Sequence, residues 1–400
     1  MTKIETHPCP SSFENDPCVL AKPITHPPKH HFFGYYDISP WNQAQTHYLV
    51  LETDFHEGAV EQDDEATVAL VEIATGDIKP IRRTRAFNLQ QGSMLHWIDV
   101  GFGEEITHND WADGRLVSRA VNPETGATRT IDGAIAALSP TEPLAIGLNF
   151  ARMRYCRRVV GYANDLYGSE TLISQPTDDG LFLLNLQSGE SYLLVSIAEL
   201  TAMLGVPELS HQPHWFNHVL FNTDGSRLLF FCRIVKPEGG HLSSLWTVNP
   251  DGSELECQIP FEYKVSHFAW QNPERIIVTT DVLGNGMEFV TLTDRKKTIT
   301  PFGHGLFPND GHFGFSPDYR WVICDTYPNN PARLARLYLY DVVGNTMATI
   351  GEFYHPPHIT GDWRCDLHPR WSPDGSMVSF DSVHEGSRQA YVIDLSACVK

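Results

Sequence analysis

Four histidines stand at one position of a recurring segment, which reads His, two residues, an aromatic, a Pro or Asp turn, then a strand. They open HVLFNTDGSRLLFF (218–231), HFAWQNPERIIVTT (267–280), HFGFSPDYRWVICD (312–325) and HPRWSPDGSMVSFD (368–381). His218, His267, His312 and His368 are thus 49, 45 and 56 residues apart. Neutral imidazole is the commonest nitrogen ligand of transition metals, and it also moves protons near neutral pH. Either use requires the four rings to meet. Asp325, Cys365 and Asp366 lie near enough in sequence to join as ligands or as acceptors behind them. The plainer reading is that each ring packs at the start of its own repeat and bonds a neighbouring backbone group. His7, His26, His47, His241 and His355 lie off this register and are read that way.

A second chemical signal is basic. RMRYCRRVVGY (152–162) carries Arg152, Arg154, Arg157 and Arg158, with Tyr155 and Tyr162 interleaved. Guanidinium makes forked contacts to carboxylates, and the tyrosines could stack on sugar faces. Arg233, at the end of a strand, is a second candidate anion contact. The plainer reading is a solvated loop with surface ion pairs. RRTR (82–85) and DRKK (294–297) fall in turns and read as surface. No GxSxG, HExxH or P-loop pattern is present, which removes the hydrolase-elbow, zincin and nucleotide-binding readings.

The elements that position these residues are strands. HYLVLETDF (47–55), RLLFFCRI (227–234), RIIVTT (275–280), RLYLYDV (336–342) and AYVIDL (390–395) are short β-branched and aromatic runs cut by Gly, Pro, Asn and Asp. Helical periodicity is clear only at SIAELTAML (196–204). Weaker copies of the repeat lie upstream at 35–52, 92–109 and 135–150, making seven in all. Strand-only repeats of this length are propeller blades, and Pro and Asp-Gly supply their turns. The predicted fold is an all-β, seven-bladed β-propeller over residues 30–400. Residues 1–29 are read as an arm or as a strand that closes the ring. Two long polar inserts, 151–180 and 353–366, break the rhythm, and inserts on a repeat scaffold commonly carry function.

Bulk composition sets limits. The net charge of -20 argues against nucleic acid and anionic membranes as partners. A polyanionic ligand would need a locally basic pocket. No basic and apolar leader and no membrane-length apolar run is present. The eight cysteines are scattered, which fits a reducing, cytoplasmic location.

HFFGYYDISPWN (31–42), QQGSMLHW (90–97), LNFARM (148–153), DGHFGFSPDYRWVICDTYP (310–328) and WRCDLHPRWSPDGSMVSFDS (363–382) resemble a family of seven-bladed propellers. That family holds the oligogalacturonate lyases and the ulvan and rhamnosyl-glucuronate lyases, and the resemblance covers residues 30–395. It implies β-elimination on a uronate-containing oligosaccharide. A cation neutralises the carboxylate, a base takes the C5 proton, and the C4 oxygen leaves. It further implies a divalent metal, Mn or Zn, with His312 and His368 matching the ligand blades and His267 the base; together with the register, this makes His218, His267, His312 and His368 the candidate metal ligands, with His267 as base or ligand. Arg152 and Arg233 look like the carboxylate-binding arginines, with Arg158, Tyr162 and Gln91 as further substrate contacts. The sequence departs from the ulvan-type pattern at Ala136, where a tyrosine is expected, and at Gln91, where a histidine is expected. A non-catalytic glycan- or protein-binding propeller is therefore the rival reading. A glycan hydrolase is a third, but no pair of convergent carboxylates stands out.

Overall fold

The computed structural model describes residues 20–98, 100, 104–168, 170–204 and 209–399. Their strands form seven four-stranded antiparallel sheets. Blade one spans His30–Thr84, blade two His96–Asp132, blade three Ile135–Ser196, blade four His214–Ile259, blade five Val265–Pro301 and blade six Phe313–Tyr354. Blade seven combines three strands from Arg370–Asp394 with Ala21–Pro23, which pairs with Tyr391–Ile393 at its outer edge. Joining the first strand to the last blade closes the ring, so no blade is left with an open seam. The fold is the seven-bladed propeller that the turn chemistry predicts. Cys9 and Cys18 lie outside the described residues.

Each blade alternates side chains into the gaps between sheets. Leu49, Val68, Leu228, Phe230, Ile276, Val278, Ile323 and Leu339 are all essentially inaccessible. Burial of that kind contributes about 1.5–3 kcal/mol per large apolar side chain and fixes blade against blade. Blade four adds a polar rivet. Arg227, fully buried, donates to Asp294 Oδ2 (2.8 Å), Asn249 Oδ1 (3.0 Å), Thr247 Oγ1 (2.8 Å) and the Glu254 carbonyl (2.8 Å).

The innermost strands carry the repeat register, and here the backbone departs from regular pairing. In blades three, four and five the inner strand is bulged at Ile135/Ala137, Asn217/Val219 and Val265/Phe268. Ala136, His218 and His267 occupy those bulges. His218 and His368 take left-handed backbone, with φ of +48° and +46°. Bulges re-aim side chains, and non-glycine residues adopt such φ values rarely. The distortion turns these positions toward the axis of the ring.

The helical segment at 196–204 is Ile197–Leu204, and a second helix, Phe150–Cys156, opens the first insert. Below the register residues lies a cavity of about 710 Å³, lined near the blade turns by Trp97, Leu138, Trp270, Phe315 and Trp371. Among the described residues no helix is long and apolar enough to cross a membrane.

Candidate active site

Tyr36 stands where the blades meet. Its ring centroid lies 5.4, 5.8, 5.2 and 6.3 Å from those of His218, His267, His312 and His368. Its hydroxyl donates to the Phe268 carbonyl at 3.0 Å. Tyr36 also lines the 710 Å³ cavity, so it separates that space from the histidines. The four imidazoles therefore do converge, but they divide into three kinds.

His312 and His368 form the first. Their Nε2 atoms face each other at 3.2 Å, with ring centroids 4.1 Å apart. His312 Nδ1 lies 3.0 Å from Asp325 Oδ2, and the same carboxylate accepts the backbone N–H of His312 (2.8 Å) and of His368 (3.0 Å). A carboxylate only accepts, so Nδ1 of His312 carries a proton and Nε2 is the nitrogen turned toward His368. His368 has a backbone hydrogen bond to Gly34. Two inward imidazole nitrogens this close repel unless a proton or a metal ion lies between them. Burial alone would lower the His312 pKa, but Asp325 carries it above the usual imidazole value. His368 is driven well down by burial and by His312.

Asp366 completes this group. His312, His368 and Asp366 each offer a donor atom within 4.8 Å of the others, and all three are buried. Asp325 is held close by Gly311, where an added Cβ would stand 2.0 Å from the Asp325 carbonyl oxygen. Asp366 is oriented by Arg364, whose Nε and Nη2 donate at 2.5 and 2.6 Å. The second insert that carries it is fixed by Arg388, which donates to the Trp363 and Arg364 carbonyls at 2.7 and 3.2 Å. Gln90 Nε2 also donates to the Arg364 carbonyl.

His267 is the second kind. Its Nδ1 lies 2.9 Å from Asp310 Oδ1, and its Nε2 lies 3.3 Å from the Tyr327 hydroxyl. Burial would raise the Asp310 pKa, yet His267 and the Ser266 hydroxyl hold it at about 2. Asp310 is therefore a carboxylate, His267 donates from Nδ1, and Nε2 is the basic nitrogen. This is the arrangement of an oriented general base. The His267 ring also packs 4.3 Å from that of His312, so this imidazole borders the donor group.

His218 is the third kind: it is not one of the three residues whose donor atoms gather, and its Nδ1 is buried without a partner among the described residues. Its Nε2 lies 2.7 Å from Asp37 Oδ2, and its ring stacks on Phe268 at 4.1 Å and 7°. The imidazole points at blade one instead of the donor group. Its pKa is lowered by burial against the opposing pull of Asp37.

Arginines edge this centre. Arg233 is 9% exposed, lies over the Phe231 ring at 4.7 Å and has no acceptor for its Nε. Burial and neighbouring Arg157 lower its pKa to about 9. Arg157 Nη1 sits 3.0–3.1 Å from the His241 ring nitrogens. Among the described residues neither Arg157 nor Arg233 has a carboxylate within ion-pair distance. In a chain of net charge -20 that is a local cationic recess. Gln91 is buried beside Tyr35, on the same side of the ring.

No family model and no curated protein sequence matches the chain. Solved structures do. An oligogalacturonate lyase from Vibrio parahaemolyticus superposes with a TM-score of 0.68 at 14% identity, covering 98% of this chain and 96% of that one. An oligogalacturonate lyase in complex with manganese gives 0.64, again at 14% identity with 98% and 96% covered. A puromycin-hydrolyzing peptidase from Mycobacterium tuberculosis gives 0.52 at 12% identity, over 87% of this chain and half of the peptidase. The fold is that of the oligogalacturonate lyases.

Three further sequence candidates make the following contacts. Arg152 is 2% exposed; it donates to the carbonyls of His214 (2.6 Å), Ile173 (2.8 Å) and Ser174 (3.0 Å) and sits 3.9 Å from Asp179. It pins the first insert to blade four and has no face for a substrate. Arg152→Ala is expected to cost about 3–5 kcal/mol of stability, as for a buried pair that loses one partner. The fall should appear in Tm; a raised KM at unchanged Tm would contradict this. Tyr162 is wholly buried, stacked on Phe150 at 4.5 Å, and its hydroxyl accepts from Asn109 at 2.9 Å, so it is core and not a sugar platform. Arg158 is exposed and pairs with Asp362, joining the two inserts. Cys365 is buried, and its thiol lies against the Asp366 carbonyl.

Asp37, Asp310 and Tyr327 were not singled out by sequence reasoning. Asp310 and Tyr327 each lie two residues from a residue that was, His312 and Asp325 respectively.

Proposed function

We propose that the chain is a lyase that cleaves uronate-containing oligosaccharides by β-elimination. The observation that carries this reading is one juxtaposition: a buried two-histidine, one-carboxylate donor group directly beside an imidazole base held by Asp310. His312, His368 and Asp366 fit a divalent transition ion such as Mn or Zn, because two imidazole lone pairs and one carboxylate are its ordinary ligands. Such an ion would draw charge from a uronate carboxylate and so acidify the proton at C5. His267 Nε2 is placed to take that proton, while Asp310 stabilises the imidazolium that results. Arg233 and Arg157 supply positive charge for a substrate carboxylate without competing anions of their own. Asp325 keeps the His312 imidazole oriented and holds the His368 backbone beside it.

The reading is tested by incubating the protein and Mn²⁺ with uronate oligomers. The expected result is a growing ultraviolet absorbance from the new C4=C5 bond conjugated to the carboxylate, abolished by chelation and restored by adding metal back. Ala136 is the specific observation behind a binding-only alternative, which predicts affinity for the same oligomers with no absorbance change.

A further inference from the structure

The repeat carries a second register besides its histidines. Three residues beyond His218, His267, His312 and His368 stand Phe221, Trp270, Phe315 and Trp371. All four line the 710 Å³ cavity, on the far side of Tyr36 from the histidines, and Trp97 of blade two joins them. A space of that size, walled mostly by aromatic and apolar side chains, lies in the range of sites that enclose small-molecule ligands.

Hydrogen-bonding groups around this cavity are left open in both senses among the described residues. His96, 7% exposed, lines it, and its Nδ1 lies 2.9 Å from the Met94 carbonyl. A carbonyl only accepts, so Nδ1 carries the proton and Nε2 is an acceptor with no partner. Burial holds the His96 pKa down at about 4, so the ring is neutral at pH 7. Asp37 gives Oδ2 to His218, while its Oδ1 is buried and unpaired. Two donors are stranded as well. Trp97 and Trp371 donate their indole N–H groups to the Pro40 and Gly314 carbonyls at 2.9 and 3.1 Å, but Nε1 of Trp270 has no acceptor. Arg370 donates to the carbonyls of Gly34 and Tyr35 and to Asp381, and its Nη1 is left over. Buried polar atoms are nearly always paired, so open donors and acceptors around one cavity call for a partner that does both.

Charge narrows the class. Asp37 and Glu142 bring carboxylates to the lining, and its guanidinium, Arg370, is already paired with Asp381 at 3.2 Å. An anion meets no free cation there. An ammonium group only donates and would leave the indole and guanidinium N–H groups stranded. A hydroxyl both donates and accepts, and the C–H faces of a sugar ring pack on aromatic walls.

We infer that this cavity is a binding site for a neutral sugar, separate from the histidine centre. Sugar hydroxyls donate to His96 Nε2 and Asp37 Oδ1 and accept from Trp270 Nε1, while Trp270, Phe315 and Trp371 cover the ring. The site shares no donor residue with the lyase reading and does not depend on it.

The test is titration calorimetry of the full chain with the methyl glycosides of glucose, galactose and mannose and with maltose. Methyl glucuronide serves as the anionic counterpart of the glucoside, and tetramethylammonium as the cation. At least one neutral sugar should bind saturably at one site per chain, with methyl glucuronide weaker than the glucoside by about 10-fold or more. His96→Phe removes an acceptor and should weaken sugar binding by about 10-fold. Thr223→Trp puts bulk into the lining from a half-buried turn position and should abolish binding with Tm retained. His312→Ala should bind the sugar as wild type does, because Tyr36 stands between. Four outcomes would each overturn the inference: no binding of any neutral sugar, tighter binding of methyl glucuronide or tetramethylammonium than of every neutral sugar, full binding by Thr223→Trp, or loss of binding in His312→Ala. None of them bears on turnover of uronate oligomers, so the lyase reading would stand or fall separately.

Discussion

His267→Ala lowers kcat on uronate oligomers by about 10²–10⁴-fold while metal content stays at the wild-type level. The magnitude is that of a positioned general base and corresponds to about 3–5 kcal/mol of barrier. It follows from what the two nitrogens of His267 do. Nδ1 is committed to Asp310 and Nε2 is the free base, so alanine removes the acceptor of the C5 proton and nothing that holds the donor group. Asp310→Asn should act through the same imidazole. An amide cannot stabilise the imidazolium, so kcat falls with little change in KM. Steady-state kinetics beside elemental analysis of each variant checks both statements. Loss of metal in His267→Ala, with activity recovered at high Mn²⁺, would instead make His267 a ligand.

Asp325→Asn is the second large effect. Asp325 is 1% exposed and accepts three N–H groups, two from the backbone at His312 and His368 and one from the His312 ring. An amide offers one acceptor oxygen, so at least one of these donors is stranded and the His312 ring loses its fixed tautomer. Loss of such an outer partner typically lowers metal affinity 10–100-fold, and an orphaned buried donor costs about 1–3 kcal/mol. Metal titration followed calorimetrically should show the weaker binding, and a thermal melt without metal should show the lost stability. Unchanged affinity would mean that Asp325 only braces the blade.

Much of the architecture was legible because propeller turns are chemically explicit. Pro, Asp and Gly recur where the chain must reverse, and β-branched runs fill the intervals. The register of four histidines also predicted convergence, since inner strands of successive blades share one axis. It could not predict orientation. His218 and His368 both adopt positive φ, yet His368 faces His312 while His218 is captured by Asp37, far away in sequence. Nothing local to residue 218 encodes that partner.

The basic insert shows the same limit. Arg152 and Arg157 are five residues apart in one charged run, but the helix Phe150–Cys156 turns Arg152 inward among backbone carbonyls. Arg157 follows the helix and reaches toward Arg233. Tyr162 read as a sugar platform because aromatic residues in polar inserts often are; Phe150 and Asn109 instead make it core. Asp310 and Tyr327 were overlooked because their meaning depends on a contact between blades five and six, which no spacing within either blade reports.

The account stands on a cation shared by side chains of different repeats at the centre of the ring. Its most direct test is elemental analysis and Mn²⁺ titration of purified wild type beside His312→Ala and His218→Ala. One ion per chain in wild type and in His218→Ala, with none retained by His312→Ala, is the predicted result. Wild type that binds no divalent ion at any concentration tried, or His312→Ala that binds as tightly as wild type, would contradict it.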